Sequence, residues 1–169
     1  MKVGVPKETV AGERRVAIVP DTARNLVKGS IQGIHVLVEA GAGERAFFSD
    51  AAYIDAGANV TDAATAFAGE AVLKVQPPTA DEVDRLGEGS VLISFLQPAT
   101  NADVIGVLAK RKVTAFSLDL VPRISRAQSM DALSSQAGIA GYKAVLLGAN
   151  HLPKFFPLLM TAAGTVAPA

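Results

Sequence analysis

The segment Pro122-Arg123-Ile124-Ser125-Arg126-Ala127-Gln128-Ser129-Met130-Asp131 brings two guanidinium groups, a carboxamide and a carboxylate into one short stretch of chain. It follows a candidate strand and precedes a long helical pattern. Cations at the positive end of a helix dipole are unfavourable unless something negative offsets them. A bound anion could do so, using the arginines together with free backbone N–H groups. Asp131 could also do so from within the chain. If helical, Gln128, Asp131 and Ser134 project from one side as an amide, a carboxylate and a hydroxyl, a set suited to a carboxamide and a ribose. The same residues also read as helix punctuation, since Ser125 and Gln128 have capping-box spacing and an acidic first turn helps any helix. Physical chemistry alone leaves ligand binding and helix capping both open.

Other chemistry-bearing residues are less informative. Gly41-Ala42-Gly43-Glu44-Arg45-Ala46 formally matches a dinucleotide fingerprint with alanine in third place. It follows the second candidate strand and runs into Phe47-Phe48-Ser49-Asp50, so it reads as a tight turn. Arg15 and Lys74 adjoin apolar runs, where a cation is costly unless paired. Both could face one cleft and bind a carboxylate, or each could be salt-bridged or at an edge. His35 and His151 have no partners at metal spacing, and no metal site is expected. Lys110-Arg111-Lys112 reads as a solvated helix end, and no nucleophile elbow is present.

The elements that must position these residues alternate between short β-branched runs and helical stretches, the pattern of a parallel sheet covered by helices. Strands are expected at Lys2–Val5, His35–Glu39, Ala71–Val75, Val91–Phe95 and Val113–Ser117, with helices near Pro20–Lys28, Asp50–Ala56, Ala80–Leu86 and Asn101–Ala109. Pro20 suits a first helical position, and Thr79 with Glu82 has capping-box spacing. The fold class is therefore a doubly wound α/β sheet, flavodoxin- or Rossmann-like, with ligands expected along the strand C-termini. From Asp131 to His151 the pattern becomes one long helix. Ser134, Gly138, Gly141, Val145 and Gly148 form a small-residue stripe, which implies a closely packed second backbone or a break near Gly138–Gly141. Residues 1–130 form the expected α/β domain, and 131–169 a connecting helix and the start of a link. The tail from Phe155 to Ala169 is apolar and has no obvious covering partner.

Sixteen basic and sixteen acidic residues cancel, so no excess positive charge is available for a phosphate backbone and nucleic acid is not an expected partner. Cysteine is absent, which excludes disulfides and thiolate chemistry. The N-terminus lacks a signal-peptide pattern and reads as a mature start, and the longest apolar stretch is too short to span a bilayer. A soluble chain is expected.

Several of these segments resemble one superfamily. Val3-Gly4-Val5-Pro6-Lys7-Glu8 with Glu13-Arg14-Arg15-Val16-Ala17, Glu39-Ala40-Gly41-Ala42-Gly43 and Ala56-Gly57-Ala58 are similar to alanine dehydrogenases and pyridine nucleotide transhydrogenases. So are Leu73-Lys74-Val75-Gln76-Pro77-Pro78 and Met160-Thr161-Ala162-Ala163-Gly164-Thr165-Val166. Alanine dehydrogenases carry a catalytic histidine where this chain has Gln97. Arg123 through Asp131, with Ser134-Ser135-Gln136, resembles the transhydrogenase signature.

This resemblance implies the NAD(H)-binding component of a proton-translocating NAD(P) transhydrogenase. In that family the loop holds the nicotinamide end of NAD(H). Carried over by match, Arg123, Gln128 and Asp131 become the expected catalytic set, with Ile124, Ser125, Arg126 and Ser134 as further cofactor contacts. It also implies hydride transfer between NAD(H) and NADP(H), with NADP(H) on a partner component. A membrane component, a homodimer of the NAD(H)-binding component and a cytoplasmic location peripheral to the inner membrane follow from the same source. The family continues into a G-x-G-x-x-G domain, the principal NAD site, so a second Rossmann domain is expected to be missing here and the chain alone to be inactive. Arg15 and Lys74 match carboxylate-binding positions of the alanine dehydrogenase branch. A fragment of an amino-acid dehydrogenase and a non-catalytic α/β interaction module are the alternatives.

Overall fold

Short apolar strands alternating with helices build one parallel sheet in the computed structural model, which describes residues 1–169. The chain divides into two compact units, Met1–Val121 and Pro122–Ala169. In the first, the strands are β1 (Lys2–Val5), β2 (His35–Glu39), β3 (Asn59–Thr61), β4 (Ala71–Leu73), β5 (Val91–Ser94) and β6 (Thr114–Ser117). The helices are α1 (Pro20–Lys28), α2 (Asp50–Asp55), α3 (Ala63–Phe67), α4 (Ala80–Arg85) and α5 (Ala102–Lys110). The strand order is β3-β2-β1-β4-β5-β6, and every pairing is parallel. That order reverses direction between β1 and β4, where doubly wound sheets open their ligand crevice.

The expected five strands are all present, and β3 is a sixth that the sequence pattern does not predict. It is an edge strand of three residues paired only to β2, too short to show a period. Helix α3, also unpredicted, follows at once and carries a local start signal, since the Asp62 carboxylate accepts the Thr65 N–H at 2.7 Å.

Two apolar clusters fill the sheet faces. Val3, Val5, Val36 and Val38 share one face by register and pack with Ala23, Tyr53 and Ala56 from α1 and α2. Tyr53 is fully buried and donates its hydroxyl to the Ile18 carbonyl at 2.9 Å; burial pushes its pKa up to about 12. The other face has Val72 and Leu92 in register, with Phe67, Val83 and Leu108 from α3, α4 and α5 and Leu86 just after α4. At Gly4 the α3 backbone comes so close that an added Cβ would collide with the Ala66 carbonyl oxygen.

The capping box of α4 forms as expected: the Glu82 N–H donates to Thr79 Oγ1, and the Thr79 N–H donates to Glu82 Oε2. One expectation needs correction. Arg111 is not merely solvated, because its guanidinium donates to the carbonyls of Asp84 at 3.0 Å and Leu86 at 2.8 Å. It thereby satisfies orphan acceptors at the end of α4.

The second unit contains a short 3-10 helix at Ser125–Met130, the twenty-residue helix α6 (Ala132–His151), and an antiparallel hairpin of β7 (Leu159–Thr161) and β8 (Gly164–Val166). Helix α6 runs unbroken through Gly138 and Gly141, and none of its residues is buried. A Cβ at Gly138 or Gly141 would meet nothing within 4 Å, while one at Gly148 would touch the Phe156 ring.

Candidate functional site

Parallel strands place all their following loops along one edge, and the first unit concentrates its buried charges there. Glu8 follows β1, and its carboxylate accepts the Val75 N–H at 2.6 Å and the Gln76 N–H at 3.3 Å, just beyond β4. Lys74 is 1% exposed and lies between Glu8 at 3.4 Å and Glu82 at 3.2 Å, with the Phe67 ring 6.0 Å from its ammonium. Thr9 also donates to Glu82. Lys74 is thus salt-bridged, one of the two alternatives open from the sequence. At the end of β5, Ser94 has a buried hydroxyl with no hydrogen-bond partner.

Arg15 belongs to the same edge and is paired as well. Its guanidinium donates twice to Glu13, at 2.8 and 2.6 Å, and Glu13 accepts a further bond from Gln76 at 2.6 Å. The hydrogen bonds from Arg15, joined by those from Gln76, hold the Glu13 carboxyl at about 2 against an ordinary 4.5. A depressed folded-state value means the stabilisation is complete above pH 4.5 and is lost as pH falls toward 2. Urea denaturation across this window is expected to show about 1–3 kcal/mol less acid sensitivity in Glu13→Gln than in the parent, allowing for the half-exposed guanidinium. Identical acid profiles would refute it. A cavity of about 250 Å³ opens at the same edge, lined by Lys7, Thr9, Glu39, Phe67, Glu82 and Arg85 among others.

The turn after β2 is packed rather than open to a ligand. Gly41 has φ +73°, and its N–H already donates to Asp50 at 2.9 Å. A Cβ on Gly43 would press on Tyr53 and Phe48. The tight-turn reading of Gly41–Ala46 therefore agrees with the geometry. His35 and His151 are both exposed, and no group of histidine, aspartate or glutamate side chains is placed to hold a metal ion.

Beyond β5, Gln97 adopts φ +47° immediately before Pro98. Residues before proline favour extended backbone, and non-glycine residues avoid positive φ, so this turn must be held by its surroundings. The Gln97 N–H donates to Asp119 at 3.3 Å, and Thr100 and Asn101 donate to the Gln97 carbonyl at 3.1 and 3.2 Å. Neither the strained turn nor the role of Asp119 was visible in the sequence; Pro98 was the one local signal.

In the second unit the segment expected to bind ligand is exposed, except for the buried Ala127 and the partly buried Asp131. Ser125 and Gln128 do not form a capping box, which corrects that reading: Ser125–Met130 is a 3-10 helix with no side-chain cap at its start. The cap of α6 is Asp131 instead. Its carboxylate accepts the Ser134 N–H at 2.8 Å and the Ser134 hydroxyl at 2.6 Å. These bonds, the hydroxyl first and aided by Arg123, lower the Asp131 pKa below the usual carboxylate range. Asp131 and Ser134 are therefore drawn together, while Ser125 and Gln128 lie in the preceding 3-10 turn and Arg123 and Ile124 precede it. No hydrogen bond or ion pair ties down the side chains of Arg123, Arg126 or Gln128. This leaves two guanidiniums and a carboxamide available beside an ionised carboxylate.

A six-stranded parallel sheet with its order reversing between β1 and β4 defines a Rossmann-like α/β protein, here followed by a long exposed helix. The chain belongs to the alanine dehydrogenase/PNT N-terminal domain family, whose pattern it matches over residues 4–140. It is 48% identical to the NAD(P) transhydrogenase subunit alpha of Cereibacter sphaeroides, over 100% of this chain and 32% of that protein. Among solved structures it resembles transhydrogenase from Sinorhizobium meliloti with TM-score 0.89 and 41% identity, covering 100% of this chain and 48% of that one. An L-alanine dehydrogenase is a more distant relative, with TM-score 0.85 and 31% identity, covering 100% of this chain and 46% of the other. The chain thus spans about a third to a half of the length of these relatives.

Proposed function

We propose that this chain is part of the NAD(H)-binding component of a proton-translocating transhydrogenase, and that residues 123–131 position the nicotinamide for hydride transfer to NADP(H). The observation that carries this reading is the composition and freedom of the loop. Arg123, Arg126 and Gln128 have no bonded partners in the chain, beside a preformed and ionised Asp131–Ser134 pair. Greater identity to a transhydrogenase alpha subunit than to an alanine dehydrogenase supports the same branch. So does Gln97, which stands where the resemblance to alanine dehydrogenases would require a catalytic histidine.

In this reading the nicotinamide supplies the hydride chemistry and the protein supplies its position. The Gln128 amide can both donate to and accept from a carboxamide, whereas Asp131, held ionised, can only accept and so suits ribose hydroxyls. Ser134 steadies Asp131; Arg123 and Arg126 offset the dinucleotide's negative charge, with Ile124 and Ser125 completing the contact surface. NADP(H) is held by a partner component, and the pyrophosphate of NAD(H) by a G-x-G-x-x-G domain beyond this region. A homodimer, attachment to the cytoplasmic face of the inner membrane through a membrane component, and inactivity of this chain by itself belong to the same proposal. No helix here is long and apolar enough to cross a membrane.

The test is Gln128→Ala in the subunit extended to the length of its relatives and assembled with its NADP(H)-binding partner. Hydride transfer is expected to fall about a hundredfold, since misplacement by an ångström costs that much, with thermal stability unchanged. Activity within about twofold of the parent, less than 0.5 kcal/mol in barrier, defeats the proposal.

A further inference from the structure

The carboxyl ends of β5 and β6 are joined by side chains that the proposed hydride-transfer site does not use. Ser117 Oγ donates to Asp119 Oδ1 at 2.6 Å and accepts the Leu96 N–H at 3.3 Å, while Asp119 Oδ1 accepts the Gln97 N–H at 3.3 Å. On the other side of the turn, Asn101 Nδ2 donates to the Leu96 carbonyl at 3.0 Å. The turn enclosed by these bonds contains Gln97 at φ +47° before Pro98, a costly conformation that persists only where the surroundings over-determine it. Asp119 is half-buried, and no lysine or arginine pairs with it. Burial alone would raise its pKa, yet the bond from Ser117 and the N–H groups around the turn keep it lowered. An ionised carboxylate kept without a counter-charge is a poor stabiliser and a good clamp.

The chain that leaves this clamp reaches Arg123 four residues after Asp119. We infer that Asp119 is a positioning residue for the 123–131 loop: by tying the β6 exit to the strained Gln97 turn of β5, it fixes the backbone from which the loop departs. The inference rests on the function proposed above for that loop. Asp119 itself touches no cofactor in this account. Its carboxylate acts through Ser117 and Gln97, so an acceptor oxygen at its Oδ1 position is what matters and the charge is secondary.

Asp119→Ala and Asp119→Asn, made in the extended subunit assembled with its NADP(H)-binding partner, test this. The alanine variant is expected to raise KM for NAD(H) about tenfold, the worth of one bond to a charged acceptor, with KM for NADP(H) unchanged. The asparagine variant, which keeps the acceptor, is expected to stay within about threefold of the parent. Amide hydrogen exchange at Leu96, Gln97 and residues 123–131 is expected to quicken in Asp119→Ala alone. Equal losses toward both cofactors would indicate general damage and overturn the inference, as would equal impairment of both variants. Gln128→Ala serves as the reference. If it is impaired while Asp119→Ala is normal, the inference about Asp119 falls alone; if Gln128→Ala is also normal, the reading of the loop falls and takes the inference with it.

Discussion

Lys74→Met is expected to destabilise the Met1–Val121 unit by about 3–5 kcal/mol, a large part of the 5–15 kcal/mol that holds a typical domain together. The Lys74 ammonium lies between two carboxylates that are themselves 3% and 8% exposed. Methionine fills the space and keeps the apolar stem, so the loss isolates the charge. Glu8 and Glu82 would then face each other in the interior with no cation between them. They cannot simply turn outward, because Glu8 is bonded to the N–H groups of Val75 and Gln76, and Glu82 to that of Thr79. Adding Glu8→Gln and Glu82→Gln to Lys74→Met is expected to recover most of the loss, since neutral amides do not need the ammonium. Urea denaturation of the parent, single and triple variants measures both. A single-variant loss under about 1 kcal/mol, the level of an exposed pair, would show that the buried triad is not what the geometry indicates.

Gly4→Ala is expected to cost about 3 kcal/mol, the upper end for overpacking a core, and to lower Tm by about 6–12 °C for a chain of this size. The colliding atom is the Ala66 carbonyl oxygen, which belongs to helix backbone and cannot rotate away as a side chain would. Gly69 adds to the constraint, since a Cβ there would meet the Gly4 nitrogen at 2.8 Å. Gly106→Ala provides the contrast. It sits inside α5 with nothing within 4 Å, so alanine there is expected to stabilise by up to about 1 kcal/mol. Equal thermal shifts in the two variants would contradict close packing of α3 on β1.

Much of the fold was readable from short-range pattern. The bounds of β1, β2 and α1 agree with expectation, as do the Thr79–Glu82 capping box and a helix running to His151. Each of these depends on residues within a few positions of one another. Strand β3 escaped because three residues cannot display alternation, and their strand character comes from pairing with β2. Helix α3 escaped although Asp62 marks its start, because five residues offer barely more than one turn of periodicity. At the loop, the Ser125–Gln128 box that spacing allowed does not form, and Asp131 caps α6 instead. The resemblance alone carried the assignment of Arg123, Gln128 and Asp131 to the nicotinamide.

The residues most able to do chemistry, Arg123, Gln128 and Asp131, stand together because they are neighbours in the chain, and the sequence by itself determined that, along with the α/β alternation. Tertiary structure decided what the remaining charges are for. Lys74 meets Glu8 from sixty-six residues away, and Gln76 meets Glu13 from sixty-three. The Gln97 turn is held by Asp119 twenty-two residues on. Partner choice over such separations depends on strand order and register, which no local pattern encodes, and on which polar groups burial leaves in reach of one another. The same physics turned Arg15 and Lys74 from two candidate ligand-binding cations into members of satisfied internal pairs.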